Sequence, residues 1–267
     1  MKQIGFIGAG NMATAIIKGL IAQNGSAAGL GVFDTDPEKC ALMAQNGVRV
    51  FASTAALVQE SDIIVLAVKP QSYAAVLAAV KPVITNTKTV VSIAAGISIG
   101  SVRTALGCDC PMVRVMPNTP LLLKKGATAL CPSENIGAED RELVYRMFAG
   151  SGVCEYIDET HMNEIIAVNG SSPAYIYLFA KAMADYAESC GIGREQAMNL
   201  ICATLEGSAA MLRDSGDSAD VLIEKVSSKG GTTIAALEQL RAHGFAEGVT
   251  AAMEACTKRA EELSGNA

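Results

Sequence analysis

The chain has 267 residues, 50% of them hydrophobic and 18% charged, with no Trp, which is the composition of a globular protein with a substantial core and excludes a disordered or fibrous chain. Its formal net charge of -6, with Lys and Arg scattered along the chain, offers no basic field for a phosphate backbone, so nucleic acid is not an expected partner. The longest uncharged apolar stretch, 165–180, is interrupted by Asn169, Ser171, Ser172 and Pro173 and falls short of a membrane span.

Short runs rich in Val and Ile at 4–7, 30–33, 63–68, 89–93 and 112–115 have the length and composition of strands buried on both faces. Between them, 11–23, 36–45, 53–60, 71–80 and 98–106 carry helical spacing, and Asp36 ahead of Pro37 reads as an N-cap followed by a first-turn proline. This alternation predicts right-handed βαβ crossovers and a doubly wound, mostly parallel Rossmann sheet, which 127–131 and 152–157 could extend. After about Asp158 the strand-like runs stop, and helical segments follow at 173–190, 194–214, 219–226, 232–243 and 245–263. The expected organisation is a dinucleotide-binding domain over 1–158 and an all-α domain over 159–267. Ala-rich helices of that length would struggle to bury every apolar face in one chain, so a dimer at minimum is expected.

Of the eight cysteines only Cys108 and Cys110 are close, and the two histidines, His161 and His243, stand alone. That pattern lacks metal-ligand spacing and fits reduced thiols in a cytoplasmic protein without a metal. Lys2 ahead of an apolar run, with Ala13-Thr14-Ala15 behind it, imitates a secretory signal. Gly5, Gly8, Gly10 and Asn11 break what should be an uninterrupted apolar helix.

The strand at 4–7 runs through Gly8-Ala9-Gly10-Asn11-Met12-Ala13 into the first helix. In this G-x-G-x-x-A turn Gly8 permits the tight reversal, Gly10 lets the backbone approach a pyrophosphate, and Ala13 lets helix and strand pack closely. The helix start would offer its N–H groups to the phosphates, making Gly8, Ala9, Gly10, Asn11 and Met12 candidate dinucleotide contacts; the alternative is a purely structural glycine turn. Asp34 closes the second strand, where an acidic group accepts the 2′-hydroxyl of the adenosine ribose. That position favours NADH, because a 2′-phosphate would meet Asp34 and Asp36 with Lys39 as the nearest compensating charge. The alternative is that Asp34 only caps the following turn, and the choice between NADH and NADPH stays open.

Three further motifs are less generic: Asp62-Ile63-Ile64-Val65-Leu66-Ala67-Val68-Lys69-Pro70-Gln71, Val91-Ser92-Ile93-Ala94-Ala95-Gly96-Ile97 and Val113-Arg114-Val115-Met116-Pro117-Asn118-Thr119-Pro120. With Ser172-Pro173-Ala174-Tyr175 and Ser227-Ser228-Lys229-Gly230-Gly231-Thr232-Thr233-Ile234 in the second half, their order and spacing resemble pyrroline-5-carboxylate reductase over nearly the whole chain. The resemblance implies reduction of the cyclic imine 1-pyrroline-5-carboxylate to L-proline by hydride transfer from NADPH or NADH. This chemistry needs positioning, a carboxylate anchor and exclusion of water more than acid–base machinery, consistent with a chain poor in His.

By the same resemblance Ala67, Val68, Lys69 and Pro70 flank the cofactor, with Ala95 and Asn118 among its contacts and Met116 and Pro117 bordering the nicotinamide. Lys69 would screen the cofactor or orient the substrate, or else be a solvated residue at a strand end. Ser228 and the backbone of Gly230, Gly231 and Thr232 would hold the substrate carboxylate, and Thr233 would hydrogen-bond the ring nitrogen. A plain helix N-cap by Thr232 or Thr233 is the alternative. The family's helical domains interlock between subunits, implying an active site shared by two chains.

The chain departs from the family pattern at Lys229, where Pro is usual, at Asn169-Gly170-Ser171-Ser172, where Ser-Gly-Ser-Gly is usual, and at Asp34-Thr35, where an Asn-Arg type pair is often found. Loss of the Pro loosens the substrate loop, while the Lys adds positive charge beside the carboxylate cradle. Rival readings are another small Rossmann reductase, acting on a hydroxyacid or with a deazaflavin, and a nucleotide-sensing interaction protein without turnover. The first should lack the Gly-Gly-Thr-Thr helix start, and the second has no need of the second-half motifs.

Overall fold

The computed structural model describes residues 2–264. Among these residues eight strands form one sheet: β1 (Ile4–Ile7), β2 (Leu30–Phe33), β3 (Arg49–Val50), β4 (Ile63–Leu66), β5 (Thr89–Ser92), β6 (Met112–Met116), β7 (Gly126–Pro132) and β8 (Gly152–Tyr156). Their spatial order is β3-β2-β1-β4-β5-β6-β7-β8. Neighbours are parallel except β6 and β7.

The helices α1 (Asn11–Asn24), α2 (Pro37–Gln45), α3 (Thr54–Glu60), α4 (Tyr73–Val80), α5 (Ile99–Leu106) and α6 (Ala138–Ala149) cover both faces. Phe6, Val65, Val91 and Val113 join α1 and α6 side chains such as Ile16, Ile17 and Phe148 in one apolar cluster. Ile7, Ile64, Leu66, Val90 and Met112 join Leu57, Tyr73, Leu77 and Val102 of α3, α4 and α5 in the other. Successive strand residues therefore point into opposite cores, and the strands read as continuous Val/Ile runs for that reason.

Four features differ from the sequence expectations. Strand β3 is a two-residue edge strand, both of whose residues are exposed, and too short to leave a pattern. Strand β4 ends at Leu66, so Ala67 and Val68 lie beyond it. The connection 117–125 holds only a 3-10 turn, Thr119–Leu123, which is too short for a parallel crossover, so β7 returns antiparallel. Helix α6 was not expected; Glu139 and Asp140 in its first turn, Arg146 in its last, and buried Val144, Met147 and Phe148 are the signals that mark it.

The chain divides into two compact units: one runs up to Ser171 and resumes at Glu254, and the other is Ser172–Met253. A π-helical turn, Ile166–Gly170, ends the first stretch. The second half carries α7 (Ser172–Ser189), α8 (Arg194–Asp214), α9 (Ala219–Lys225), α10 (Thr232–Ala242) and α11 (Phe245–Ser264). Ala180, Ala184, Ala197 and Ile201 form its small core, where Ala side chains let α7 and α8 approach closely. Much larger side chains remain outside, with Tyr177 62%, Leu178 69%, Tyr186 72% and Leu200 70% exposed. An apolar surface of this extent marks an interface. Among the described residues no helix is long and apolar enough to cross a membrane.

Candidate functional site

The sheet's strand order reverses between β1 and β4, and in open α/β sheets ligands bind outside the strand carboxyl ends at such a point. Here the loops are tied together: Ala67 N–H donates to Ile7 O at 2.8 Å, and Gly8 N–H to Phe33 O at 2.8 Å. Gly8 has φ +102°, and a Cβ added there would lie 2.6 Å from the Ala67 carbonyl oxygen. Its glycine is thus required by the fold itself.

Gly10 is different. It is the N-cap of α1 with φ −71°, and no side chain caps the helix there. A Cβ at Gly10 would meet nothing within 4 Å. The protein's own packing leaves this position free, above a helix start whose N–H groups lack a side-chain cap, and Ala13 beneath it is fully buried. These are the features a pyrophosphate needs, so the residues present fit a dinucleotide.

Asp34 accepts a hydrogen bond from Ala9 N–H at 2.7 Å through Oδ2 and from Asp36 N–H at 2.9 Å through Oδ1. It therefore caps the following turn and holds the glycine loop at once, and Ala9 N–H is occupied by the protein. Asp36 in turn caps α2 through Glu38 N–H at 3.0 Å and pairs with Lys39 at 3.1 Å. The Lys39 ammonium holds the Asp36 carboxyl below its usual range, and the same contact raises Lys39.

Beyond β4, Lys69 is exposed at the start of a 3-10 turn, Pro70–Ser72. The turn is anchored by Tyr73, whose hydroxyl donates to Leu66 O at 3.0 Å and lies 3.0 Å from Ser92 Oγ, joining the ends of β4 and β5. Burial pushes the Tyr73 phenol well up, so it is a neutral strut. Ala94 and Ala95 precede Gly96, which has φ +78° and whose added Cβ would lie 2.6 Å from Ala260 O. The last turns of α11 thus press on the loop after β5.

Asn118, expected among the cofactor's contacts, has its amide hydrogen-bonded within the protein. Its Oδ1 accepts from Ala127 N–H at 2.9 Å and its Nδ2 donates to Asn169 O at 3.1 Å. Asn169 answers by donating from Nδ2 to Met116 O at 2.9 Å and Ala127 O at 3.0 Å. This pair of amides fixes the Met116–Asn118 edge against β7 and the π-helical turn. The sequence reading missed Asn169 as a partner because the two residues are far apart in the chain. It also missed buried Arg114, which donates to Asn163 Oδ1 at 2.6 Å and faces Glu159, while Glu159 Oε1 accepts from Ile99 N–H at the start of α5 at 2.7 Å.

In the helical unit, Gly231 N–H donates to Ser228 O at 2.9 Å, closing a turn in which Gly230 has φ +72°. A positive φ at the third position is the type II arrangement, where Pro is common at the second, and Lys229 occupies that second position. Gly231 contributes by lacking a side chain, since a Cβ there would lie 2.5 Å from Ser228 Oγ and 2.9 Å from Ser228 O. Its N–H is taken by the turn. Neither Thr232 nor Thr233 is the N-cap of α10; Gly231 is, with no side-chain cap, so the N–H groups of Thr232 and Thr233 open the helix uncapped.

Burial pushes the thiols of Cys131 and Cys154 up to about 11 and that of Cys110 up to about 12. These three are protonated at neutral pH and are not nucleophiles.

A family model described as pyrroline-5-carboxylate reductase dimerisation matches residues 159–263, and one described as NADP oxidoreductase, coenzyme F420-dependent, matches 3–96. The chain is 39% identical to the pyrroline-5-carboxylate reductase of Escherichia coli, covering 98% of both chains. It is 39% identical to that of Pseudomonas aeruginosa, covering 98% of this chain and 97% of the other. The crystal structure of Plasmodium falciparum pyrroline carboxylate reductase with NADP bound superposes with a TM-score of 0.91 at 30% identity, covering 98% of each chain.

Proposed function

The chain belongs to the pyrroline-5-carboxylate reductase family, and from that premise we propose that it reduces 1-pyrroline-5-carboxylate to L-proline with NAD(P)H, the last step of proline biosynthesis. The observation that carries this reading is a glycine turn leading into an uncapped helix, with Gly10 open, in a chain whose likeness to named reductases extends through the helical half as well. When bound, the reduced nicotinamide supplies the hydride that the imine carbon accepts.

The chain's own residues do the rest. Gly8 keeps β1 and the loop after β4 in contact, and Gly10, Asn11 and Met12 receive the pyrophosphate on the start of α1. Asp34 takes the adenosine ribose. Ala67, Val68, Lys69, Pro70 and Ala95 line the cofactor on the neighbouring strand ends. Asn118 acts through the amide pair with Asn169, setting the Met116–Pro117 edge that borders the nicotinamide. Ser228, the Gly230 backbone and the N–H of Thr232 hold the substrate carboxylate, as a helix start favours an anion. Thr233 hydrogen-bonds the ring nitrogen, which carries the proton while hydride reaches the carbon beside it.

We assign the nucleotide-binding role to 1–158 and the dimerisation and substrate role to 159–267, in the cytoplasm. The dimerisation match and the exposed apolar side chains of α7 and α8 support a homo-oligomer, and we place the Gly230–Thr233 loop of one subunit in the partner's nicotinamide site. Purified protein given 1-pyrroline-5-carboxylate should consume the absorbance of NADH or NADPH. No turnover with either cofactor overturns the reading.

A further inference from the structure

We infer that Arg114 is a positioning residue for the nicotinamide: through Glu159 and Asn163 it holds the loop after β5 and the end of β6 in one register. The inference rests on the reductase reading for the reaction it serves. Arg114 lies on β6 with only 4% of its surface exposed, its backbone paired with Ser92 of β5 on one side and Cys131 of β7 on the other. Its guanidinium donates to Asn163 Oδ1 at 2.6 Å and stands 3.8 Å from Glu159 Oε1. That same carboxylate oxygen accepts from Ile99 N–H at 2.7 Å. A buried cation is tolerated only where its partners stay in place, so the three side chains fix one another.

The partners tie together two walls of the cleft. Ile99 opens α5 soon after the loop that carries Ala95, and the other end of that loop is pinned by the Tyr73–Ser92 contact. Met116 follows Arg114 by two residues and so lies on the same face of β6; its carbonyl oxygen accepts from Asn169. The stretch 159–170 is thereby clamped to the β6 edge twice, by Arg114 near its start and by Asn118 at its end. Met162, Ile166 and Ala167 are buried between the two clamps. In the sheet order β5 and β6 lie on the far side of β1 from β2 and Asp34, so the cluster acts on the strand ends that border the nicotinamide and leaves the adenosine end alone. A misplacement of about 1 Å can cost on the order of a hundredfold in rate, which lets a clamp that never touches the cofactor govern turnover.

Calorimetric titration of the whole protein with NADH and with ADP-ribose, which lacks the nicotinamide, separates positioning from general damage. Arg114→Met keeps the length of the side chain without its charge. It should leave ADP-ribose binding within about twofold, weaken NADH by at least about fivefold, and lower kcat by at least about tenfold. Glu159→Gln, at a side chain partly open to solvent, removes the charge but keeps an acceptor for Ile99 N–H, and carries the test where Arg114→Met does not fold. It should lower kcat and the NADH to ADP-ribose affinity ratio by at least about threefold each. Adding Asn163→Asp to Glu159→Gln returns an anion to the guanidinium and should restore both quantities. Parent-like kcat in Glu159→Gln, equal weakening of the two ligands, or no recovery with Asn163→Asp overturns the inference. A parent protein that binds NADH and never reduces the imine overturns the reductase reading alone, since the two affinities still report on Arg114.

Discussion

Replacing Gly8 and Gly10 by Ala separates a glycine the fold needs from one the ligand needs. At Gly8 the new Cβ would lie 2.6 Å from the Ala67 carbonyl oxygen with φ at +102°. Backbone strain of roughly 1–3 kcal/mol, with displacement of a loop tied to β1, makes a loss of about 2–4 kcal/mol the expected outcome. At Gly10 the φ of −71° is ordinary and the Cβ meets nothing within 4 Å. Reduced freedom of the unfolded chain offsets the weaker cap, so stability should stay within about 1 kcal/mol of the parent. Its NADH affinity should nevertheless fall by at least about tenfold, because the methyl occupies the approach of the pyrophosphate. Urea unfolding followed by circular dichroism measures the first quantity. Titration with the cofactor's own emission measures the second, undisturbed by protein emission at long wavelength since the chain has no Trp. A Gly10→Ala protein that binds NADH like the parent, or that is destabilised as much as Gly8→Ala, refutes the reasoning.

Thr233→Ala should lower kcat/KM by roughly 1–2 kcal/mol, the scale of one hydrogen bond, and unchanged kinetics would remove Thr233 from the mechanism. A mixed dimer of one Gly10→Val chain and one Thr233→Val chain should recover about half the parent activity if each site draws on two subunits; no recovery contradicts sharing. Lys229→Pro, at the second position of the Ser228–Gly231 turn, should stabilise the protein by about 0.4–1 kcal/mol and lower KM for the imine, and a loss of stability would show the turn to be of another type. Asn169→Ala leaves the Met116 and Ala127 carbonyls without their donor and should cost about 2–4 kcal/mol, with kcat falling more than the affinity for NADH; parent-like unfolding would refute the clamp.

Which parts of this were legible in sequence follows from the range of the interactions. The strands at 63–66 and 89–92 are buried on both faces, so composition alone reveals them, and Asp36-Pro37 marks the start of α2 because capping is local. Strand direction is not written in periodicity: β7 runs antiparallel because 117–125 is too short to cross over. Helix α6 was hidden because its buried side chains are only Val144, Met147 and Phe148, set amid charged residues. Asp34 and Gly10 were readable as a motif, but that Asp34 holds Ala9, and that Gly10 faces open space, depends on loop geometry. The Asn118–Asn169 pair, the Arg114–Asn163 bond and the pressure of Ala260 on Gly96 join distant parts of the chain and leave no local signal.

The central claim is hydride transfer to the imine carbon of 1-pyrroline-5-carboxylate, and isotope transfer tests it most directly. Incubation with NADH or NADPH bearing deuterium at the transferring position should yield L-proline with one deuterium on the ring carbon adjacent to nitrogen, read by mass spectrometry. Proline without the label, or cofactor oxidation without proline, would contradict the account.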